Sequence, residues 1–176
     1  MDSVTDVSSQ ADAIELQAIR VLDLCRERGL TVSTAESCTG GLVAGALTAI
    51  AGSSDVLDRG FVTYSDTAKH EMLGVSEATL TAHGAVSEET AREMALGLLR
   101  VARTSLGVSV TGVAGPGGGS EDKPVGLVYF AAASASGKVI ARREVFAGQD
   151  RAGVRRLSVL TALAMLTELA AHETGR

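Results

Sequence analysis

Twice in this chain a short apolar run gives way to a polar turn and then to helical spacing. The turns are Ala35-Glu36-Ser37-Cys38-Thr39-Gly40-Gly41 and Tyr64-Ser65-Asp66-Thr67-Ala68-Lys69. Strand, turn and helix in that order form the repeating unit of α/β folds, which carry their chemistry at the carboxyl ends of the strands. The pattern therefore limits the fold class and also picks out a serine, a tyrosine and a lysine at two adjacent strand ends. Ser37, Thr39, Gly40 and Gly41 suit a tight turn that exposes a hydroxyl at a helix N-terminus, with backbone N–H groups facing whatever binds there. A lysine with a tyrosine beside it is one of the few groupings that activate a serine without histidine. These residues point to a serine-type hydrolase.

The remaining periodicities fill in the layers. Helical spacing of Ile14, Ala18, Val21, Leu22 and Cys25 predicts a helix over Ala11 to Arg28, with Gly29 as its C-cap. A strand over Leu30 to Ala35 and a helix over Gly40 to Ile50 follow. A second strand, Gly60 to Tyr64, leads into a short helix capped by Ser65 or Asp66 and running to Met72, with Lys69 in its first or second turn. Ser76 and Ser87 read as N-caps, the latter opening a helix from Glu88 to about Arg103. Leu106 to Thr111 is a strand, Val125 to Ala133 and Lys138 to Phe146 form a hairpin, and a helix runs from about Asp150 to Ala171. Five strands, one hairpin among them, alternating with helices predict an α/β fold: a three-layer α/β/α sandwich with a mixed sheet. Residues 1–10, rich in Ser, Asp and Gln, read as a disordered lead to a single domain over 11–176.

Composition narrows the function classes. The net charge of −5 argues against general nucleic-acid binding, which needs a basic face. No apolar run is long enough for a membrane span. Two cysteines, with no signal-like leader, fit a reducing cytoplasm. His70, His83 and His172 are scattered, and neither a C-x-x-C pair nor H-E-x-x-H occurs, so no metal site is expected. The glycine-rich stretch from Gly112 to Pro124 matches neither a Walker A loop nor the Rossmann fingerprint. Its start, Thr111-Gly112-Val113-Ala114-Gly115, follows a buried-looking strand, and its small residues would let a flat ring or a phosphate approach the backbone. Ser120 and Lys123 match an S-x-x-K spacing by accident, because glycine and proline flank them where that motif needs a helix. Cys38 is an alternative nucleophile, since helix N-termini lower thiol pKa values, but no histidine lies near it in sequence.

Five stretches together resemble the CinA C-terminal domain family, and within it the stand-alone nicotinamide-nucleotide amidases. They are Ala35 to Gly41, Ala51-Gly52-Ser53-Ser54, Arg59-Gly60-Phe61-Val62-Thr63-Tyr64-Ser65, Gly84-Ala85-Val86-Ser87-Glu88 and Thr111-Gly112-Val113-Ala114-Gly115-Pro116. The resemblance spans about residues 12 to 170, in order. It implies hydrolysis of the carboxamide of nicotinamide mononucleotide to nicotinate mononucleotide and ammonia in NAD recycling. It also implies no cofactor and a homodimer or larger homo-oligomer. Carried over by position, Ser37 matches the nucleophile, and Tyr64 and Lys69 match the residues that activate it. The loop with Thr111, Gly112, Ala114 and Gly115 matches a stretch that lines the pocket, and Arg151 and Arg155 match basic residues of the last helix that bind substrate or an adjoining subunit; Glu36, Thr39, Gly40 and Gly41 complete the expected substrate-binding set. One departure stands out: the family often has Asn after Tyr-Ser, and this chain has Asp66, which adds a negative charge near the site.

The resulting expectation is a Ser37 acyl-enzyme, with Lys69 or Tyr64 carrying the proton and N–H groups of the Cys38 to Gly41 turn stabilising the oxyanion. A non-catalytic pyridine-nucleotide-binding or competence/damage-related member of the family is one rival, although a pure sensor has no need of Ser37, Tyr64 and Lys69 together. A partner-binding protein is another, and it predicts a large exposed apolar surface on the Ala- and Leu-rich last helix.

Overall fold

The computed structural model describes residues 2–175, with side chains from residue 12 onward. Five strands form one mixed sheet in the order β2-β1-β3-β4-β5. The strands are β1 Val32–Glu36, β2 Leu57–Val62, β3 Leu106–Gly112, β4 Leu127–Ser134 and β5 Val139–Val145. β1 pairs in parallel with β2 and β3, whereas β3–β4 and β4–β5 are antiparallel. The helices are α1 Asp2–Arg28, α2 Leu42–Thr48, α3 Asp66–Leu73, α4 Glu77–His83, α5 Glu88–Ala102 and α6 Arg151–Ala170.

The sandwich expected from the sequence is present. α1, α2 and α6 cover one face of the sheet, and α5, flanked by α3 and α4, covers the other. The first face buries Leu22, Val43 and Leu166 against Val32, Val108, Val110 and Phe130, and the second packs Leu73, Met94 and Leu98 around Ala35. This aliphatic core is what a chain with 3% aromatic residues has to use. Ser65, Ser76, Ser87 and Asp150 each accept an N–H bond from the third residue onward, so the side-chain chemistry fixes where four helices begin.

Two expectations need revision. α1 begins at Asp2 rather than Ala11. The disordered lead expected over residues 1–10 falls where side chains lie outside the described residues. The last helix has no exposed apolar face, because α6 is packed between α1 and the sheet with Val159, Leu163, Met165 and Leu166 buried. The partner-binding rival loses the feature it predicted. Exposed large apolar side chains such as Val62, Tyr64 and Met72 lie instead on the edge strand β2, in the turn after it and in the last turn of α3.

Chain order makes β1 the reversal point of the parallel part of the sheet. From β1 the chain crosses to β2 on one side and later returns to β3 on the other. A crevice opens at the carboxyl ends of strands at such a point. Glu36 is level with Val62 on β2 and with Val110 on β3. The ladder continues one step further through Ser37 N–H to Val110 O at 2.9 Å and Thr63 N–H to Glu36 O at 2.8 Å. Ser37, Thr63 and Thr111 therefore stand in one row at the crevice floor.

Candidate active site

Strand alternation gives neighbouring residues opposite tasks. Thr34 and Glu36 face α2, while Ala35 and Ser37 face the α3–α5 layer, where Lys69 projects from the first turn of α3. Lys69 is 1% exposed and Ser37 8% exposed. The lysine Nζ lies 3.3 Å from Ser37 Oγ, 3.0 Å from Thr63 O and 3.5 Å from Tyr64 O. Burial pulls its pKa below the ordinary lysine value, against the opposing negative charge of Asp66. A neutral amine has two N–H donors and one lone pair. With two carbonyls and one hydroxyl around it, it can donate to Thr63 and Tyr64 and accept from Ser37.

The turn after Ser37 is held by a carboxylate. Glu36, 1% exposed, accepts N–H bonds from Gly41 at 3.1 Å, Val43 at 3.0 Å and Ala44 at 2.9 Å, and a hydroxyl bond from Thr34 at 3.3 Å. Gly41 has φ +96°, a conformation that favours glycine. Gly40 N–H is spent on Ser37 O at 3.0 Å. Glu36, expected in the substrate-binding set, thus has its oxygens taken up by the start of α2 and by Thr34. The oxyanion donors are narrowed as well: of the amides from Cys38 to Gly41, only those of Cys38 and Thr39 lack a backbone or side-chain acceptor elsewhere in the chain among the described residues.

Ser37, Cys38, Tyr64, Lys69, Thr111, Gly112, Ala114, Gly115 and Arg151 line one cavity of about 290 Å³. It approaches the lower size range of ligand pockets. The Gly-rich loop contributes because Gly112 packs tightly over β4: a Cβ there would lie 2.7 Å from Leu127 O. Arg151 donates to Gly115 O at 2.7 Å and to the Tyr64 hydroxyl at 3.0 Å, tying that loop, α6 and the β2–α3 turn together over the site. Tyr64 itself is 61% exposed, and its hydroxyl bonds to neither Lys69 nor Ser37. Thr111 donates its hydroxyl to Ala85 O at 2.7 Å.

Some expected residues lie outside this cavity. Glu36 and Gly41 border a groove beside the β2 edge. Arg155 donates to Thr39 O at 3.1 Å and lines a neighbouring cavity that shares Ala114 and Arg151 with the first. Thr39 and Gly40 build the turn without lining either. Ala85 and Val86 do line the site and were not anticipated, although the Gly84 to Glu88 stretch carried part of the resemblance. The Thr39 and Thr63 hydroxyls are buried without partners among the described residues, and both belong to the two turns that meet at Ser37. Cys38 is 6% exposed, and burial pushes its thiol up to about 11, so it stays a neutral thiol near pH 7. No cluster of metal-ligating side chains is found among the described residues, and no described helix is long and apolar enough to cross a membrane.

Comparison with known proteins gives consistent matches. A family model described as the CinA C-terminal domain matches residues 15–170. The nicotinamide-nucleotide amidohydrolase PncC of Escherichia coli K12 is 58% identical over 141 residues, 80% of this chain and 85% of the relative. A putative competence-damage inducible protein of Caldanaerobacter subterraneus is 47% identical over 88% of this chain, which spans 37% of that longer relative. Among solved structures, the competence/damage inducible protein CihA from Agrobacterium tumefaciens superposes with a TM-score of 0.88 at 54% identity, covering 89% of this chain and 95% of the other.

Proposed function

The chain belongs to the CinA C-terminal domain family, and from that premise we propose that it hydrolyses the carboxamide of nicotinamide mononucleotide through Ser37. The observation that carries the mechanism is the buried Lys69 amine at 3.3 Å from the Ser37 hydroxyl. The substrate class follows from the amidohydrolases that the chain resembles at 54–58% identity. The electrostatics agree with it: Arg151 is the charged side chain lining the cavity beside the neutral Lys69 amine, and no carboxylate joins them in the lining. A phosphate-bearing substrate meets the Arg151 guanidinium there.

Neutral Lys69 takes the Ser37 proton as Oγ attacks the carboxamide carbon. The tetrahedral oxyanion is held by the Cys38 and Thr39 amides, each such donor contributing about 3 kcal/mol. The Lys69 ammonium then protonates the departing nitrogen, releasing ammonia and leaving an ester on Ser37. Water attacks the ester with Lys69 again as base, and Ser37 regains its proton as nicotinate mononucleotide leaves. Tyr64, bonded to Arg151, helps shape the entrance, and Lys69 carries the proton. A cytoplasmic setting for the reaction is supported by the two free cysteines and the acidic balance. Homo-oligomerisation is supported by the exposed Val62 on the open edge strand β2 and by the exposed Tyr64 just after it.

The direct test is ammonia release from nicotinamide mononucleotide by the wild-type protein and by Ser37→Ala. Release by the wild type alone is expected, with the variant still binding substrate. Equal release by both would remove Ser37 as nucleophile, and release by neither would remove the reaction.

A further inference from the structure

From these contacts we infer that Glu36 is a positioning residue for the reaction. Its carboxylate fills the start of α2 so that the Ser37 turn is held in one geometry and only the Cys38 and Thr39 amides remain for the oxyanion.

A carboxylate is an acceptor-only group, and both Glu36 oxygens are used. Oε2 accepts from Gly41 and Val43, and Oε1 accepts from Ala44 and from the Thr34 hydroxyl. The bonds to Gly41, Val43 and Ala44 close the chain on itself around Ser37, Cys38, Thr39 and Gly40. The start of α2 thus meets a carboxylate supplied by the chain itself, so an incoming phosphate or carboxylate is turned away from α2 and toward the Arg151 side of the crevice. Strand alternation makes this arrangement possible, because the residue before the nucleophile necessarily faces the opposite layer. Among the described side chains no cation pairs with Glu36, so the backbone amides and the Thr34 hydroxyl are its whole set of partners.

Glu36→Gln tests this, because its amide keeps one acceptor oxygen and sets an NH2 donor against N–H donors at the other. The control is Thr48→Gly, which weakens α2 at an exposed position away from the turn. With nicotinamide mononucleotide as substrate, Glu36→Gln should lower kcat by about 10²-fold and leave KM within about threefold, the pattern of a misplaced nucleophile and oxyanion site. The acid limb of the pH profile should not move, since Lys69 remains the base. Amide hydrogen exchange over residues 38–44 should accelerate by about tenfold or more while β3 stays protected. Thr48→Gly should reproduce neither effect.

Glu36 has this role only if Ser37 is the amidase nucleophile, and the exchange experiment separates the two. A wild type without activity would end the amidase proposal, yet accelerated exchange in Glu36→Gln would still establish the clamp. Wild-type exchange over 38–44, with or without a fall in kcat, would overturn the inference. So would full kcat in a variant whose turn has loosened. Should β3 also lose protection, Thr34→Val removes only the hydroxyl bond to Oε1 and allows the same comparison at smaller amplitude.

Discussion

Lys69 Nζ lies 3.3 Å from Ser37 Oγ, although 32 residues separate the two and they reach the site from different strand–helix units. Each is almost fully buried, and the amine has exchanged water for two carbonyls and one hydroxyl. That exchange favours the neutral amine, the form a base requires.

Lys69→Met should lower kcat by about 10²-fold or more, with the fold retained. Lys69→Arg should fare no better, because guanidinium stays protonated at every accessible pH. Steady-state kinetics on both variants, with circular dichroism as a folding control, checks this. An active arginine variant would show that Lys69 supplies charge and not a proton acceptor.

The pH dependence follows from the depressed lysine pKa. The base must be deprotonated, so kcat/KM should rise with pH through the Lys69 pKa and then level off, with the rise lying below the ordinary lysine value. Asp66 opposes the depression. Asp66→Asn should therefore move the rise to lower pH and increase the rate on the acid side. A profile shifted the other way would mean that Asp66 does not act on Lys69 through charge.

Tyr64→Phe removes the hydroxyl that accepts from Arg151 and nothing that touches Ser37. The expected result is a rise in KM with kcat lowered by less than about tenfold, the mark of lost binding and not of lost proton transfer. A kcat loss as large as that of Lys69→Met would return the tyrosine to the proton path.

Cys38→Ala should keep most of the activity. The thiol is buried, its pKa is raised to about 11 by that burial, and its proposed contribution is through the backbone N–H, which alanine retains. Abolished turnover with an intact fold would reopen the cysteine as nucleophile.

Away from the site, Glu93 links α5 to the start of α4. It accepts from Ser76 N–H at 2.7 Å and from the Ser76 and Thr79 hydroxyls. Burial raises its pKa, but these hydrogen bonds outweigh burial, and the net shift is downward. Between its depressed folded value and the ordinary carboxylate range the unfolded chain binds the extra proton, so this stabilisation is complete above that range and fades as pH falls through the folded value. Glu93→Gln should cost about 1 kcal/mol at neutral pH, reduced by its partial exposure, and less in acid. Urea unfolding at two pH values measures the difference.

Periodicity and turn chemistry made most of the architecture legible. β1, α5, the hairpin and α6 lie within a few residues of their expected bounds because their apolar spacing and serine or aspartate caps act locally. Ser37 and Lys69 were legible for the same reason, each sitting at a strand end or in a first helical turn. The partners of Glu36 were not legible because they depend on which face of β1 it occupies, and a five-residue run in which every position is buried carries no alternation to show it. Ala85 and Val86 were missed because only the sheet register brings their loop to Thr111. Tyr64 lies beside Lys69 in sequence, yet its ring turns outward to Arg151, 87 residues away, a pairing set by how α6 packs.

The row formed by Ser37, Thr63 and Thr111 has a kinetic side. No single supersecondary unit contains the nucleophile, its base and the wall of the pocket; they meet only when three strands are in register. A partly folded chain therefore holds an ordinary serine and an ordinary, hydrated, protonated lysine. Hydrolytic competence should appear during refolding with the last cooperative step and should vanish with the first loss of β1–β3 pairing, making turnover a sharper gauge of native register than helix content.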